Sequence, residues 1–232
     1  MRLSSVQNEL IERLPRKDRA HFLGLCDEVE LDMSAVLCGS GESTEHAYFP
    51  LKGFISLVTP LDGRPVLEVG MVGNEGMLGT QLVLGVTTAP LFALVQGPGT
   101  AWRVGAASFR RELIRSKALR VSMELYVQVT ISQLAVSAAC LRFHHISQRL
   151  ARWLLMTHDR AQTDEFRVTH EFLAYMLGVR RVGITTAAVA LQRLGSIRYH
   201  RGAVTIVNRR SLEKAACSCY AAGKKSYVDV MQ

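Results

Sequence analysis

Between residues 76 and 102 the chain has no charged side chain, and none of its five cysteines stands in a CxxC pair. The uncharged stretch is the nearest thing to a membrane span. However, Gly85, Pro90, Gly97, Pro98 and Gly99 break it into what reads as short strands and turns. Without CxxC spacing there is neither a zinc ribbon nor a thioredoxin-type site. Cys26, Cys38 and Cys140 are scattered, and Cys217 and Cys219 are the only close pair. The pair reads as two reduced thiols on a C-terminal helix, since an iron–sulfur or redox-sensing role would need ligands that this spacing does not supply. Histidine is also scarce, His46 being alone between residues 22 and 143. A cupin-type metal centre needs two or three His and a carboxylate, so that chemistry is excluded. No Ser-His-Asp, Cys-His or P-loop arrangement occurs. The expectation is therefore no catalytic residue, no metal and no cofactor. The first residues, MRLSSVQNELIERLPRKDR, have no apolar core of signal-peptide length, so a cytoplasmic protein without a membrane partner is expected.

What the chain does have is an uneven charge. It is 48% hydrophobic and 21% charged, a composition that excludes a disordered chain. Its net +8 is not spread evenly. Residues 1–140 carry 13 Lys+Arg against 14 Asp+Glu, while residues 141–232 carry 15 against 6. A basic C-terminal third on a near-neutral body is the footprint of a module that meets a polyanion.

Residues 3–25 carry Leu3, Val6, Leu10, Ile11 and Leu14 at helical spacing before Pro15, a short amphipathic lead-in. From about residue 28 to 104, short apolar runs alternate with Gly, Pro, Asp and Asn, the signature of an all-β unit with tight turns. Asp62-Gly63 is a hairpin signal, because both residues tolerate positive φ. Residues 106–115 then read as a short helix and residues 117–142 as a long one. Within the long helix Leu119, Met123, Tyr126, Thr130, Leu134, Ser137 and Leu141 fall three or four apart, as a self-pairing seam requires. Val121, Met123, Leu125, Val127, Val129 and Ile131 also alternate as in a strand. Twenty-six residues without Gly, Pro, Asn or Asp are too long for one, so helix is expected. Residues 145–160 form a further amphipathic helix, followed by a polar break at 162–165.

The stretch THEFLAYMLGVRRVGITTAAVALQRL, from Thr169 to Leu194, fits a helix-turn-helix. That motif needs a small residue where its helices touch, a Gly at the turn and apolar residues at fixed positions. Ala174, Gly178, and Leu173, Leu177, Val179, Ile184 and Ala187 meet those needs, and Thr169 is placed to cap the first helix. Gly195 ends the second helix, and SIRYH-RG-AVTIV reads as a hairpin wing turning at Arg201-Gly202. Residues 180–214 hold eight Lys+Arg and one acidic residue. The expected contact set is Thr169, Arg180, Arg181, Thr185, Thr186 and Arg201. Arg181 would reach guanine in the major groove, and Arg201 would hold phosphate or the minor groove.

A β-roll, a long helix and a winged helix-turn-helix in that order resemble the CRP/FNR family of bacterial transcription regulators. The resemblance rests on LARWLLMTHDR, VTHEFLAYMLGVRR, IRYHRGAVTIVNRRSLE and, for the roll, GESTEHAYFPLKGFISLV. It implies an α+β chain with a cyclic-nucleotide-binding-like antiparallel β-roll with flanking helices over residues 1–116. A dimerisation helix over 117–142 and a winged helix-turn-helix over 143–232 would follow. It also implies a homodimer on a near-palindromic double-stranded DNA operator, with RNA polymerase as a further partner. Three departures from the family stand out. Its cyclic-AMP binders carry a Glu and an Arg in the stretch that here is uncharged, so nucleotide binding is not expected. Cys26 is alone in the first thirty residues, which excludes the iron–sulfur pattern of the oxygen sensors, and His46 alone gives no haem site. In the recognition helix Arg181 matches the family's guanine reader. However, Val182 stands where an acid is usual and Thr186 where a second Arg is usual. The alternative is a winged-helix interaction or signalling module that senses a small ligand without reading DNA.

Overall fold

The computed structural model describes residues 8–61 and 64–232, with side chains left aside at 60–66. Leu3, Val6 and the Asp62-Gly63 hairpin signal lie outside the described residues. The chain divides into two units, one of residues 1–57, 71–131 and 227–232, the other of residues 58–70 and 132–226.

The lead-in forms α1 (Glu9–Glu12) and α2 (Arg16–Leu23), separated at Pro15. Asn8 starts α1: its side-chain oxygen accepts from the Leu10 and Ile11 amides, and its amide nitrogen donates to the Pro50 and Gly76 carbonyls at 3.0 and 2.9 Å. All of its hydrogen-bonding capacity is thus used, as a fully buried amide requires.

The β unit is β1 (Asp27–Leu31), β2 (Val36–Cys38), β3 (His46–Leu61), β4 (Arg64–Val72) and β5 (Phe92–Gly105). The sheet runs in the order β1-β5-β3-β4, and β2 also pairs with β5. β1 lies antiparallel to β5, from Asp27 opposite Arg103 to Leu31 opposite Gly99. A 3-10 turn, Thr80–Leu84, sits in the uncharged stretch. Residues 97–99 do not break the strand as expected, since β5 runs through them. A side chain at Gly97 would meet the Phe54 ring at 2.3 Å, and one at Gly99 would meet the Lys52 carbonyl at 2.2 Å. The two glycines let β3 approach closely, with exposed Pro98 between them.

Two helices follow, α3 (Ala106–Arg115) and α4 (Lys117–Phe143), so the strand-like alternation in α4 carries no strand. Leu119, Met123, Tyr126 and Val129 of α4 pack into a core with Phe22, Phe49 and Phe109. The three rings meet edge-on or tilted, with centroids 5.4 to 6.2 Å apart. This corrects the expected seam. Leu119, Met123 and Tyr126 are 0–2% exposed within one chain and are not available for self-pairing. Helical spacing marks an apolar stripe but not what covers it, and α4 has a second stripe. Val121, Leu125 and Ile131 are exposed, Ile131 by 55%. With a mean hydropathy of 1.2 over an eighteen-residue window, α4 is also the one described helix long and apolar enough to cross a membrane. Residues 76–102 were therefore not the nearest candidate.

The last third holds α5 (Ile146–Ala161), β6 (Glu165–Arg167), α6 (His170–Met176), α7 (Arg181–Arg193), β7 (Ile197–His200), β8 (Ala203–Ile206), α8 (Arg209–Ala215) and α9 (Cys219–Met231). β6, expected as part of a polar break, joins the wing in a three-stranded sheet of order β6-β8-β7. The far end of α9 brings Tyr227, Val230 and Met231 to the aromatic core of the first unit, where the Tyr227 hydroxyl lies 2.9 Å from the Glu75 carbonyl.

Phe49 is fully buried between two rings, so Phe49→Ala should cost about 3–5 kcal/mol of stability in denaturant titration. A loss below about 1 kcal/mol would show that the aromatic cluster collapses around the gap instead of holding its shape.

Candidate nucleic-acid interface

α6 starts at Thr169, whose hydroxyl oxygen accepts from the Phe172 amide at 3.1 Å, the capping geometry expected for it. The helix ends at Gly178, which has φ +61°, and α7 departs at 109° to α6. That angle lies within the range of a helix-turn-helix. An L-residue at Gly178 would be strained by its φ, and its Cβ would come 2.9 Å from Leu67 Cδ1.

On α7 the buried stripe is Ile184, Ala187, Ala188 and Leu191, and the helix packs on α5 and α6. At 3.6 residues per turn, fixing that stripe turns Arg181, Val182, Thr185, Thr186, Val189 and Arg193 outward. Arg180 is exposed at the N-terminal boundary of the helix, and Val182 is 68% exposed. The wing turns at Arg201-Gly202, both at positive φ (47° and 79°), with His200 paired to Ala203. This is the two-residue hairpin read from the sequence. Arg201 is exposed at its tip.

The sequence-derived site residues thus lie on one helix-turn-helix and its wing, and the structure adds to them. The His170 ring stacks on Tyr199 of β7 at 4.3 Å, and the Tyr199 hydroxyl donates to the Val168 carbonyl at 2.7 Å. The Tyr199 amide donates to Gln192 on α7 at 2.9 Å. One wing residue therefore ties together the start of α6, the end of α7 and β7. An aromatic in the first wing strand and a His opening the first helix were visible in the sequence, but nothing there paired them.

The two threonines are less free than their exposure suggests. Thr186 donates to the Val182 carbonyl at 3.0 Å, and Thr185 lies 3.2 Å from the Arg181 carbonyl and 3.0 Å from His170 Nδ1. Each hydroxyl proton is engaged, while oxygen lone pairs remain to accept. Arg209, one of the basic residues counted after the motif, is turned inward onto Asp159 at 2.6 Å and Glu213 at 2.9 Å. Among the described residues no ion pair engages Arg180, Arg181, Arg193, Arg198 or Arg201. Ion pairs of this unit include those of His158, Arg209 and Lys224.

Residues 148–215 match the Crp-like helix-turn-helix domain family. The fold is that of CRP/FNR regulators, with a Crp-like helix-turn-helix domain in its C-terminal part. Superposition on FixK2 from Bradyrhizobium japonicum gives a TM-score of 0.69 at 13% identity, covering 83% of this chain and 98% of that one. The c-di-GMP-responsive global regulator CLP of Xanthomonas campestris gives 0.66 at 15% identity, covering 84% and 100%. A CRP-family transcriptional regulator from Thermus thermophilus gives 0.66 at 16%, covering 81% and 96%. A sequence comparison with characterised proteins gives no match.

Burial, and then the charge of Arg181, hold the His170 pKa below its ordinary value. The folded state thus favours neutral His170 more than the unfolded chain does. Its contribution to stability is complete above about pH 6.5 and is lost as the pH falls through that value toward the lower folded-state pKa. Acidification from about pH 7.5 to 5.5 should therefore lower the unfolding midpoint more in the native chain than in His170→Gln. A smaller drop in the native chain than in the variant would reverse the sign.

Proposed function

We propose that the protein is a cytoplasmic transcription regulator that binds double-stranded DNA sequence-specifically as a homodimer. Three parts would divide the work: residues 1–116 as a sensor-like roll, 117–142 as the dimerisation helix, and 143–232 as the DNA reader. The observation that carries the reading is the outward face of α7. It presents exposed arginines and threonine oxygens that can still accept, on a helix whose other side is fixed by burial.

Arg181 is assigned the guanine contact, because a guanidinium can donate two parallel hydrogen bonds to guanine O6 and N7. Val182 offers an isopropyl group suited to a thymine methyl. Arg180 and Arg201 are assigned to phosphate, which needs only a reachable cation. Thr169 is assigned to the backbone beside them. Thr185 and Thr186 are assigned as acceptors, since their protons are engaged on α7 itself. Dimerisation is assigned to the exposed stripe of Val121, Leu125 and Ile131, which burial in a second copy would remove from water. RNA polymerase is the further partner of a regulator that activates.

The roll is assigned no cyclic nucleotide. A bound phosphate needs a forked donor or a lysine, and residues 76–102 offer neither. Calorimetry with cyclic AMP and cyclic GMP should show no heat of binding at micromolar protein. A micromolar dissociation constant for either would overturn that assignment.

The test of DNA reading is a titration of Arg181→Ala and Arg201→Ala against operator variants at two salt concentrations. Arg181→Ala should lose about 1–3 kcal/mol per half-site and relax preference at one base pair. Arg201→Ala should weaken all sequences alike and flatten the salt slope by about 0.9 log unit per lost phosphate contact. Uniform loss from the first and altered base preference from the second would mean the two roles are exchanged. Binding equal to the native chain in both variants would favour a winged-helix interaction module.

A further inference from the structure

Cys140 lies in the last turn of α4 and His144 just past its end, where the His144 amide still donates to the Cys140 carbonyl at 3.2 Å, so the two face the same way. Cys217, between α8 and α9, and Cys219, the first residue of α9, lie against them. Cys140 Sγ lies 3.5 Å from Cys217 Sγ, and Cys219 Sγ lies 3.5 Å from His144 Nδ1. All four ligand atoms lie within 4.8 Å of one another. The three thiols are 1%, 4% and 8% exposed, and the imidazole is half-buried.

The two 3.5 Å separations match the edges of a tetrahedron around one zinc ion. With Zn–S near 2.3 Å and Zn–N near 2.0–2.1 Å, tetrahedral ligands stand about 3.6–3.8 Å apart. A disulfide would instead need sulfurs at about 2.05 Å. The irons of an iron–sulfur cluster spread its thiolates further than a single ion does. Apolar packing of cysteines would also not draw in an imidazole nitrogen.

A second observation concerns charge. Arg149 and Arg152 line one small cavity together with Cys140. Both donate to neutral groups, Arg149 to the Leu177 carbonyl and Arg152 to Ser137 Oγ at 3.1 Å, and the buried Arg152 Nε has no hydrogen-bond partner. A divalent ion held by three thiolates and a neutral imidazole carries one net negative charge. Guanidinium groups beside it supply the outer-shell balance that thiolate sites need.

We propose that Cys140, His144, Cys217 and Cys219 form a closed Cys3His site for one zinc ion, tying the end of α4 to the α8–α9 junction. Three thiol protons leave to solvent as the ion binds. All four positions are filled by protein, so the site is structural and has no open position for catalysis. Its thiolate-rich donor set selects zinc over magnesium or calcium. Because the ion binds only the folded arrangement, it stabilises this unit.

The test uses the full-length chain, purified under reductant without chelator. One zinc per chain is expected by elemental analysis. Replacement by cobalt(II) should give the intense visible bands of tetrahedral coordination and near-ultraviolet thiolate charge-transfer bands. Cys219→Ser and His144→Ala should weaken zinc binding by about 100-fold, since losing a ligand costs at least what losing its supporting partner does. Cys26→Ser and Cys38→Ser should keep the full stoichiometry. A reduced chain without zinc and without cobalt absorption would overturn the proposal. So would the weak spectrum of octahedral cobalt, or a Cys140–Cys217 disulfide in place of the metal. The native cobalt spectrum decides the question even if a variant fails to fold.

Discussion

Ile184, Ala187, Ala188 and Leu191 recur three and four residues apart on α7, and burying them against the preceding helices leaves that helix one orientation. Everything exposed on it follows from this constraint. The charged and hydroxyl residues between the buried positions have no freedom to face elsewhere, and a helix held on its inner side loses little further freedom when its outer side meets a ligand. The turn at Gly178 sets the angle at which α7 leaves α6. Tyr199 then fixes the wing to both helices through one stack and two hydrogen bonds. Reader and wing therefore move as one body.

α4 shows the opposite case, a helix whose two apolar faces have different owners. One is consumed by the aromatic core around Phe49 and Phe109, and the other stays exposed. An apolar stripe of that exposure on a folded chain calls for a partner surface. At its far end the same helix carries Cys140, with His144 just beyond. A single element thus holds core residues, an unpartnered stripe and half of a ligand set.

Wherever a local pattern decides local geometry, the sequence was sufficient. Periodicity placed α3, α4, α5 and α7 to within a residue or so, Gly178 marked the turn, and Arg201-Gly202 marked the wing. What local pattern cannot show is which of two faces a distant segment covers, and the errors lie there. Leu119, Met123 and Tyr126 have the spacing of a seam but belong to the core. Glu165–Arg167 is too short and polar to announce a strand, and becomes one only because β8 offers an edge. Cys217 and Cys219 are free thiols, as their spacing suggested, but local pattern does not show that Cys140 and His144, 77 and 75 residues away, lie beside them. Cys140 and His144 are themselves four residues apart, across the end of α4. A glycine before and after a proline suggested a break at residues 97–99, whereas the chain used the missing side chains to bring β3 close.

The central claim is that the outward face of α7 reads double-stranded DNA in two copies related by symmetry. Selection of bound fragments from a random-sequence duplex library by the full-length protein, followed by sequencing, tests it most directly. The expected result is a near-palindrome with half-sites about 34 Å apart, one helical turn, and a guanine at matching positions in each half. Fragments enriched without a shared motif, or a motif with a single half-site, would contradict it.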